Sequence, residues 1–152
     1  YLTWKQIQRL AKKHIVGCHT YNHTRLASGF SKEQLEEEIL QSKRILEEQL
    51  SQEVPAFSWV GGEEENYSVD AARFIQKAQY QFCFLSNNIV IRPGTSLQLL
   101  NRTPLDVQYP LSLVKFLLSG FQDLFYVKRS QRINKKILKG YSKQISSGDP
   151  VA

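Results

Sequence analysis

Two of the three histidines in this 152-residue chain are four positions apart, in the segment His19-Thr20-Tyr21-Asn22-His23. The short apolar run at residues 15–18 precedes them and predicts a buried strand. Neutral imidazole is a good ligand for Zn²⁺ and similar ions, and α/β folds place active sites beyond the carboxyl ends of their strands. The His-Glu-x-x-His pattern of zinc proteases is excluded, because Thr follows His19 and the segment is not within a helix. The pair therefore predicts a metal site, with two hydrogen-bonded loop histidines as the alternative.

Two capping-box patterns mark the starts of the helices that flank this loop. Thr3 with Gln6 predicts a helix that ends near residue 13, and Ser31 with Gln34 predicts a helix that continues to residue 50. The second helix has an apolar face and a charged face. We expect Glu36, Glu37 and Glu38 to face water, opposite the apolar residues Leu35, Ile39, Leu46 and Leu50.

Helices and strands alternate over the first 91 residues. Residues 54–60 and 82–85 read as further strands, with residues 89–91 extending or following the last of them. Ser68 caps a helix between the two strands. This order predicts βαβ crossovers and hence an α/β fold with a parallel sheet or barrel. Beyond residue 94 the pattern loosens, and residues 112–119 predict a buried helix.

Several of these segments match one known family. Gly17-Cys18-His19-Thr20-Tyr21-Asn22-His23 resembles the Gly-Ser-His-Thr-x-x-His motif of the polysaccharide deacetylases, the NodB homology domain of carbohydrate esterase family four. Residues 2–7 are similar to the Leu-Thr-Trp helix before that motif. Residues 57–62 resemble the strand of the family's third motif. Residues 100–106 resemble the family's late Arg-x-Pro-x-Asp strand. The resemblance covers roughly residues 1–107.

The resemblance implies an irregular (β/α) barrel with a divalent metal at its mouth. His19 and His23 would be two of the three protein ligands of that ion, which we expect to be Zn²⁺. The implied activity is hydrolysis of a carbon–nitrogen bond other than a peptide bond, removing N-acetyl groups from a carbohydrate polymer or oligomer. In this setting the Gly61 amide could donate to an oxyanion. Trp59 could stack on a sugar ring, and a core aromatic is the alternative for Trp59.

Three departures from the family pattern bear on activity. The chain has no Asp-Asp pair and no late Leu-x-His motif, so its general base and general acid are not identifiable. The third motif is also altered. Its Arg is missing near Pro55, and its Pro-Tyr-Gly is replaced by Val60-Gly61-Gly62. We expect this chain to hold metal weakly, and a non-catalytic carbohydrate-binding or assembly domain is the alternative. Because the chain begins at Tyr1 and has no Met, we expect it to be the back portion of a barrel whose first motif lies upstream.

The net charge of +6 comes from one segment. Residues 128–143 contain seven Lys and Arg and no acid, whereas the rest of the chain carries 13 Lys and Arg against 14 Asp and Glu. The charge therefore does not indicate nucleic-acid binding. We divide the chain into a deacetylase-like domain at residues 1–127 and a basic helix and tail at residues 128–152. The basic helix predicts either peripheral contact with an anionic surface or a helix packed on the domain with its charges in water.

Few conclusions about location follow. No run of about 18 apolar residues is present, which excludes a membrane-spanning helix, and no secretory leader is visible. Cys18 and Cys83 form no disulfide framework. The compartment and the identity of the carbohydrate are not readable from the residues.

Overall fold

A computed structural model describes residues 2–142, and four short parallel strands lie at its centre. They are β1 Gly17–Cys18, β2 Ala56–Ser58, β3 Phe82–Leu85 and β4 Leu100–Asn101, adjacent in the order β1-β2-β3-β4. Cys18 pairs with Phe57, and Ser58 pairs with Phe84. The predicted α/β class is confirmed. The described strands form an open sheet, and closure into a barrel stays a prediction.

Helices connect and cover the strands. In chain order they are α1 Trp4–Ala11, α2 Lys32–Leu35, a π-helical turn Glu36–Gln41, α3 Ser42–Leu50, a 3-10 turn Glu64–Asn66, α4 Val69–Lys77, α5 Leu111–Leu118 and α6 Asp123–Ser142. Both capping boxes are present, at Thr3 and at Ser31. Ser68 caps α4 as predicted. β2 is shorter than the predicted 54–60, and residues 89–91 form no strand.

The two faces of the sheet differ because successive side chains of a strand point to opposite sides. Cys18, Phe57, Cys83 and Leu85 are buried and belong to the core that the sheet shares with the helices. Ser58, Phe84 and Leu100 alternate with them and are partly exposed. This second side, away from the core, is called the open face below.

Helix α6 packs against α4 rather than standing apart. Ile133 and Ile137 are fully buried, and Gly140 lies directly against Ala72. Arg132 is paired with Glu64 at 2.8 Å. These contacts favour the packed helix of the two interpretations, and contact with an anionic surface stays a prediction. Lys143 and the rest of the predicted tail lie outside the described residues.

The predicted helix at residues 112–119 is present, but the prediction that it is buried is wrong. Helix α5 is present, but it contains no buried residue, and Leu111 and Leu118 are 67% and 61% exposed. Apolar composition predicted the helix correctly but could not show whether another element covers it.

None of the helices within residues 2–142 is long and apolar enough to cross a bilayer.

Candidate metal centre

His19 and His23 lie side by side at the carboxyl end of β1. Their ring centroids are 4.9 Å apart, with an interplanar angle of 73°, and both side chains are exposed. His19 Nδ1 lies 2.7 Å from the backbone oxygen of Ser58, the last residue of the neighbouring strand β2. A carbonyl oxygen can only accept, so Nδ1 of a neutral His19 carries the proton and Nε2 keeps its lone pair. Metal-ligating histidines are usually oriented by such a bond.

The backbone between the two histidines turns tightly. Thr20 and His23 adopt left-handed conformations, with φ of 65° and 58°. This region is uncommon for residues other than Gly, and it is least favourable for a β-branched residue such as Thr. The Thr24 amide donates to Thr20 Oγ1 at 2.9 Å and closes the turn. The strained turn is therefore what returns His23 to the side of His19.

A buried carboxylate holds this loop in place. Glu38 accepts hydrogen bonds from the backbone amides of Tyr21 and Asn22, from Asn22 Nδ2 and from Thr24 Oγ1, all between 2.8 and 3.0 Å. Burial alone would raise the pKa of Glu38, but these four hydrogen bonds together outweigh it and hold the pKa below its ordinary value. The loop is thus tied to the helix by a carboxylate that favours its charged form.

The expectation that Glu38 faces water is wrong, since its exposed fraction is 6%. Glu38 belongs to the π-helical turn between α2 and α3, a geometry that often marks functional sites. One turn later, the Ser42 hydroxyl donates to the Glu38 carbonyl and lies 3.0 Å from Cys18 Sγ. A signal was present in the sequence, because Glu38 falls three residues after Leu35 and next to Ile39, on the apolar stripe.

The two imidazoles fit a divalent ion as a partial ligand set. Each is exposed, and His19 has the orientation expected of a ligand. Within the part of the chain that the structure describes, no group of three or more His, Cys, Asp or Glu side chains could hold a metal ion. Zn²⁺ sites of catalytic type normally take three protein ligands. The two imidazoles could therefore supply at most two of these three ligands.

Comparison with known protein families identifies the family of this chain. A model of the family described as polysaccharide deacetylase matches residues 2–83, which is more than half of the sequence. The chain belongs to the polysaccharide deacetylase family. The matched residues include β1, the histidine loop, Glu38 and β2. No curated protein and no solved structure matches the chain.

Membership supports a deacetylase-type function on N-acetylated carbohydrates in general. Polysaccharide deacetylases are generally metal-dependent, which agrees with the chemistry of the paired imidazoles. The general base and general acid stay unassigned in this member of the polysaccharide deacetylase family.

The other two predicted site residues follow β2. Trp59 is fully buried, with its ring centroid 5.1 Å from that of Tyr67 and 6.0 Å from that of Phe57. Its burial supports a core aromatic rather than a sugar platform. Gly61 adopts φ +76°, and a Cβ there would lie 2.5 Å from Asn66 Nδ2, so the turn requires glycine. An oxyanion contact from the Gly61 amide stays a prediction.

A cavity of about 410 Å³ adjoins His19 on the open face of the sheet. It is lined by His19 and Ser58 together with apolar residues of β1–β3 and the segment before β1, among them Ile15, Ala56, Phe82 and Phe84. The His19 side of the candidate metal centre therefore borders a largely apolar space. Such a combination, with few polar groups beside an apolar wall, is typical of small-molecule sites.

Proposed function

We propose that this chain carries two metal ligands, His19 and His23, of a metal-dependent hydrolase that removes N-acetyl groups from a carbohydrate polymer or oligomer. The observation that carries the proposal is the placement of both imidazoles at one strand end, with their ring centroids 4.9 Å apart. Nδ1 of His19 is hydrogen-bonded to the Ser58 carbonyl oxygen. Family membership supports the same chemistry. Zn²⁺ is the ion that this ligand type favours.

Each residue of the centre has a distinct task in this proposal. The Ser58 carbonyl orients His19, and Glu38 holds the loop that orients His23. A bound divalent ion would polarise the acetamide carbonyl and lower the pKa of a water molecule. The cavity beside His19 leaves room for the N-acetyl group.

The test is release of acetate from N-acetylglucosamine oligomers by the protein with added Zn²⁺. We expect release to depend on the metal, to stop with a chelator, and to be lost in His19→Asn and His23→Asn. His14→Asn is the matched control, because the exposed His14 belongs to no part of the centre. Acetate release that persists in both His19→Asn and His23→Asn would overturn the proposal.

A second candidate is a non-catalytic carbohydrate-binding or assembly domain of the same family. The observation that favours it is the absence of a third metal-ligating side chain beside the histidines among the described residues. This candidate predicts that the oligomers bind with equal affinity with and without a chelator and that no acetate is released. Metal-dependent release of acetate would exclude it.

A further inference from the structure

Arg102 lies on the same face and at the same edge of the sheet as the histidine pair. It directly follows β4, and its amide donates to the Leu85 carbonyl at 2.8 Å, which continues the ladder between β3 and β4. Each of four residues at this edge directly follows a buried strand residue: His19 follows Cys18, Ser58 follows Phe57, Ser86 follows Leu85 and Arg102 follows Asn101. All four therefore point to the open face at the carboxyl ends of the strands.

The guanidinium of Arg102 crosses β3 to reach β2. Arg102 Nη2 donates to Ser58 Oγ at 2.7 Å and to Ser86 Oγ at 3.2 Å. Ser58 is the residue whose carbonyl oxygen accepts from His19. Ser58 thus contacts both side chains, Arg102 through its hydroxyl and the candidate ligand His19 through its carbonyl oxygen.

The charge of Arg102 is uncompensated in the described part of the chain. No carboxylate of residues 2–142 lies within ion-pair distance of it, and Nε and Nη1 have no hydrogen-bond partner there. The nearby arginine on α6 differs, since Arg129 donates to the Gly62 carbonyl and lies close to Glu63. Two serine hydroxyls hold one nitrogen of Arg102, and the side chain is exposed.

A guanidinium presented in this way matches a carboxylate. Its planar fork of N–H donors pairs with both oxygens of a carboxylate group, and such charge-assisted bonds are among the stronger ones in proteins. A purely structural role, joining β2 and β3 through the serines, would use Nη2 alone. Because Nε and Nη1 have no partner within residues 2–142 and the side chain is exposed, the guanidinium can also bind a ligand.

We propose that Arg102 is an anion-binding residue of the His19–His23 site and that the N-acetylated carbohydrate bound there carries a carboxylate. The inference rests on the proposed function, because it assigns a substrate class to the same site. A carboxylate at Arg102 could come from the sugar or from another part of the protein, and the experiment separates these sources.

The experiment compares two sugars that differ by a carboxylate-bearing group. N-Acetylmuramic acid and N-acetylglucosamine are titrated into the protein, and dissociation constants are measured by calorimetry or NMR. We expect the acidic sugar to bind about tenfold more tightly or better. Arg102→Gln should bring the two affinities within about twofold, and Arg102→Lys should keep part of the preference because it retains charge without the fork.

Equal affinities for the two sugars in the unmodified protein, or a preference that survives in Arg102→Gln, would overturn the inference. Acetate is the control for the source of the carboxylate. If acetate binds as tightly as the acidic sugar, the site takes any carboxylate and the substrate assignment is wrong.

Zn²⁺ binding is measured on the same variants. We expect it to be unchanged in Arg102→Gln and lost in His19→Asn, so that failure of the carboxylate preference is distinguishable from failure of the metal centre. Thermal unfolding of Arg102→Gln and Arg102→Lys checks that each variant is folded.

Discussion

The ring of His19 and the backbone of Ser58 are joined by a hydrogen bond of 2.7 Å from Nδ1 to the carbonyl oxygen. The bond links the ends of two neighbouring parallel strands and selects which nitrogen of His19 is available to a ligand. Because the acceptor is a backbone atom, no side-chain substitution at residue 58 removes it. The orientation of His19 therefore depends on the pairing of β1 with β2, and that of His23 depends on Glu38.

Replacement of Glu38 tests the support of the histidine loop. Glu38→Gln leaves one oxygen acceptor where four donors converge, so that the two donors on one carboxylate oxygen, such as Asn22 Nδ2 and Thr24 Oγ1, lose their acceptor. We expect the free energy of unfolding to fall by about 2 kcal/mol and Zn²⁺ affinity to fall by about tenfold or more. Glu36→Gln, on the same helical turn but exposed, is the control. Equal effects of the two substitutions would contradict the role of Glu38.

The lowered pKa of Glu38 makes part of the stability depend on pH. A carboxyl whose pKa is lower in the folded protein stabilises it above the ordinary carboxyl value of 4.5, and that stabilisation is lost as the pH falls through the folded-state pKa. We expect the stability difference between the unmodified protein and Glu38→Gln to be constant at neutral pH and to shrink below pH 4.5. Denaturant unfolding across this range measures it. A difference that grows on acidification would refute the assignment.

The contact between α4 and α6 is tested at Gly140. Alanine normally stabilises a helix relative to glycine by about 1 kcal/mol. Here a Cβ at residue 140 would lie 2.5 Å from Ala72 Cβ and 2.7 Å from the Val69 carbonyl oxygen, so Gly140→Ala should destabilise the protein instead. Thermal unfolding gives the sign of the change. The control is Leu138→Ala, at a half-exposed position of the same helix, which should have little effect on stability. Stabilisation by Gly140→Ala would show that α4 and α6 are not in this contact.

Local signals predicted the elements that position the centre. The capping residues Thr3, Ser31 and Ser68 all accept the expected backbone hydrogen bonds, because a cap depends on residues within one turn. The His19–His23 spacing likewise predicted a pair of neighbouring imidazoles. These features need little information from distant parts of the chain.

What the sequence did not reveal depends on distant contacts. Glu38 was read as solvated because a run of three acids usually is, and its partners lie 14 to 17 residues away. The link from Arg102 to Ser58 spans 44 residues and requires the register of three strands. Trp59 is buried because of where Phe57 and Tyr67 pack, and aromatic residues at a strand end do not reveal which side they take.

Zn²⁺ binding by calorimetry, with His14→Asn, His19→Asn and His23→Asn measured in parallel, tests the central claim most directly. We expect saturable binding of about one ion per chain, unchanged in His14→Asn and lost in the other two variants. Circular dichroism confirms that each variant keeps its fold. Binding that survives in His19→Asn and His23→Asn, or that is lost equally in His14→Asn, would contradict a metal centre at the carboxyl end of β1.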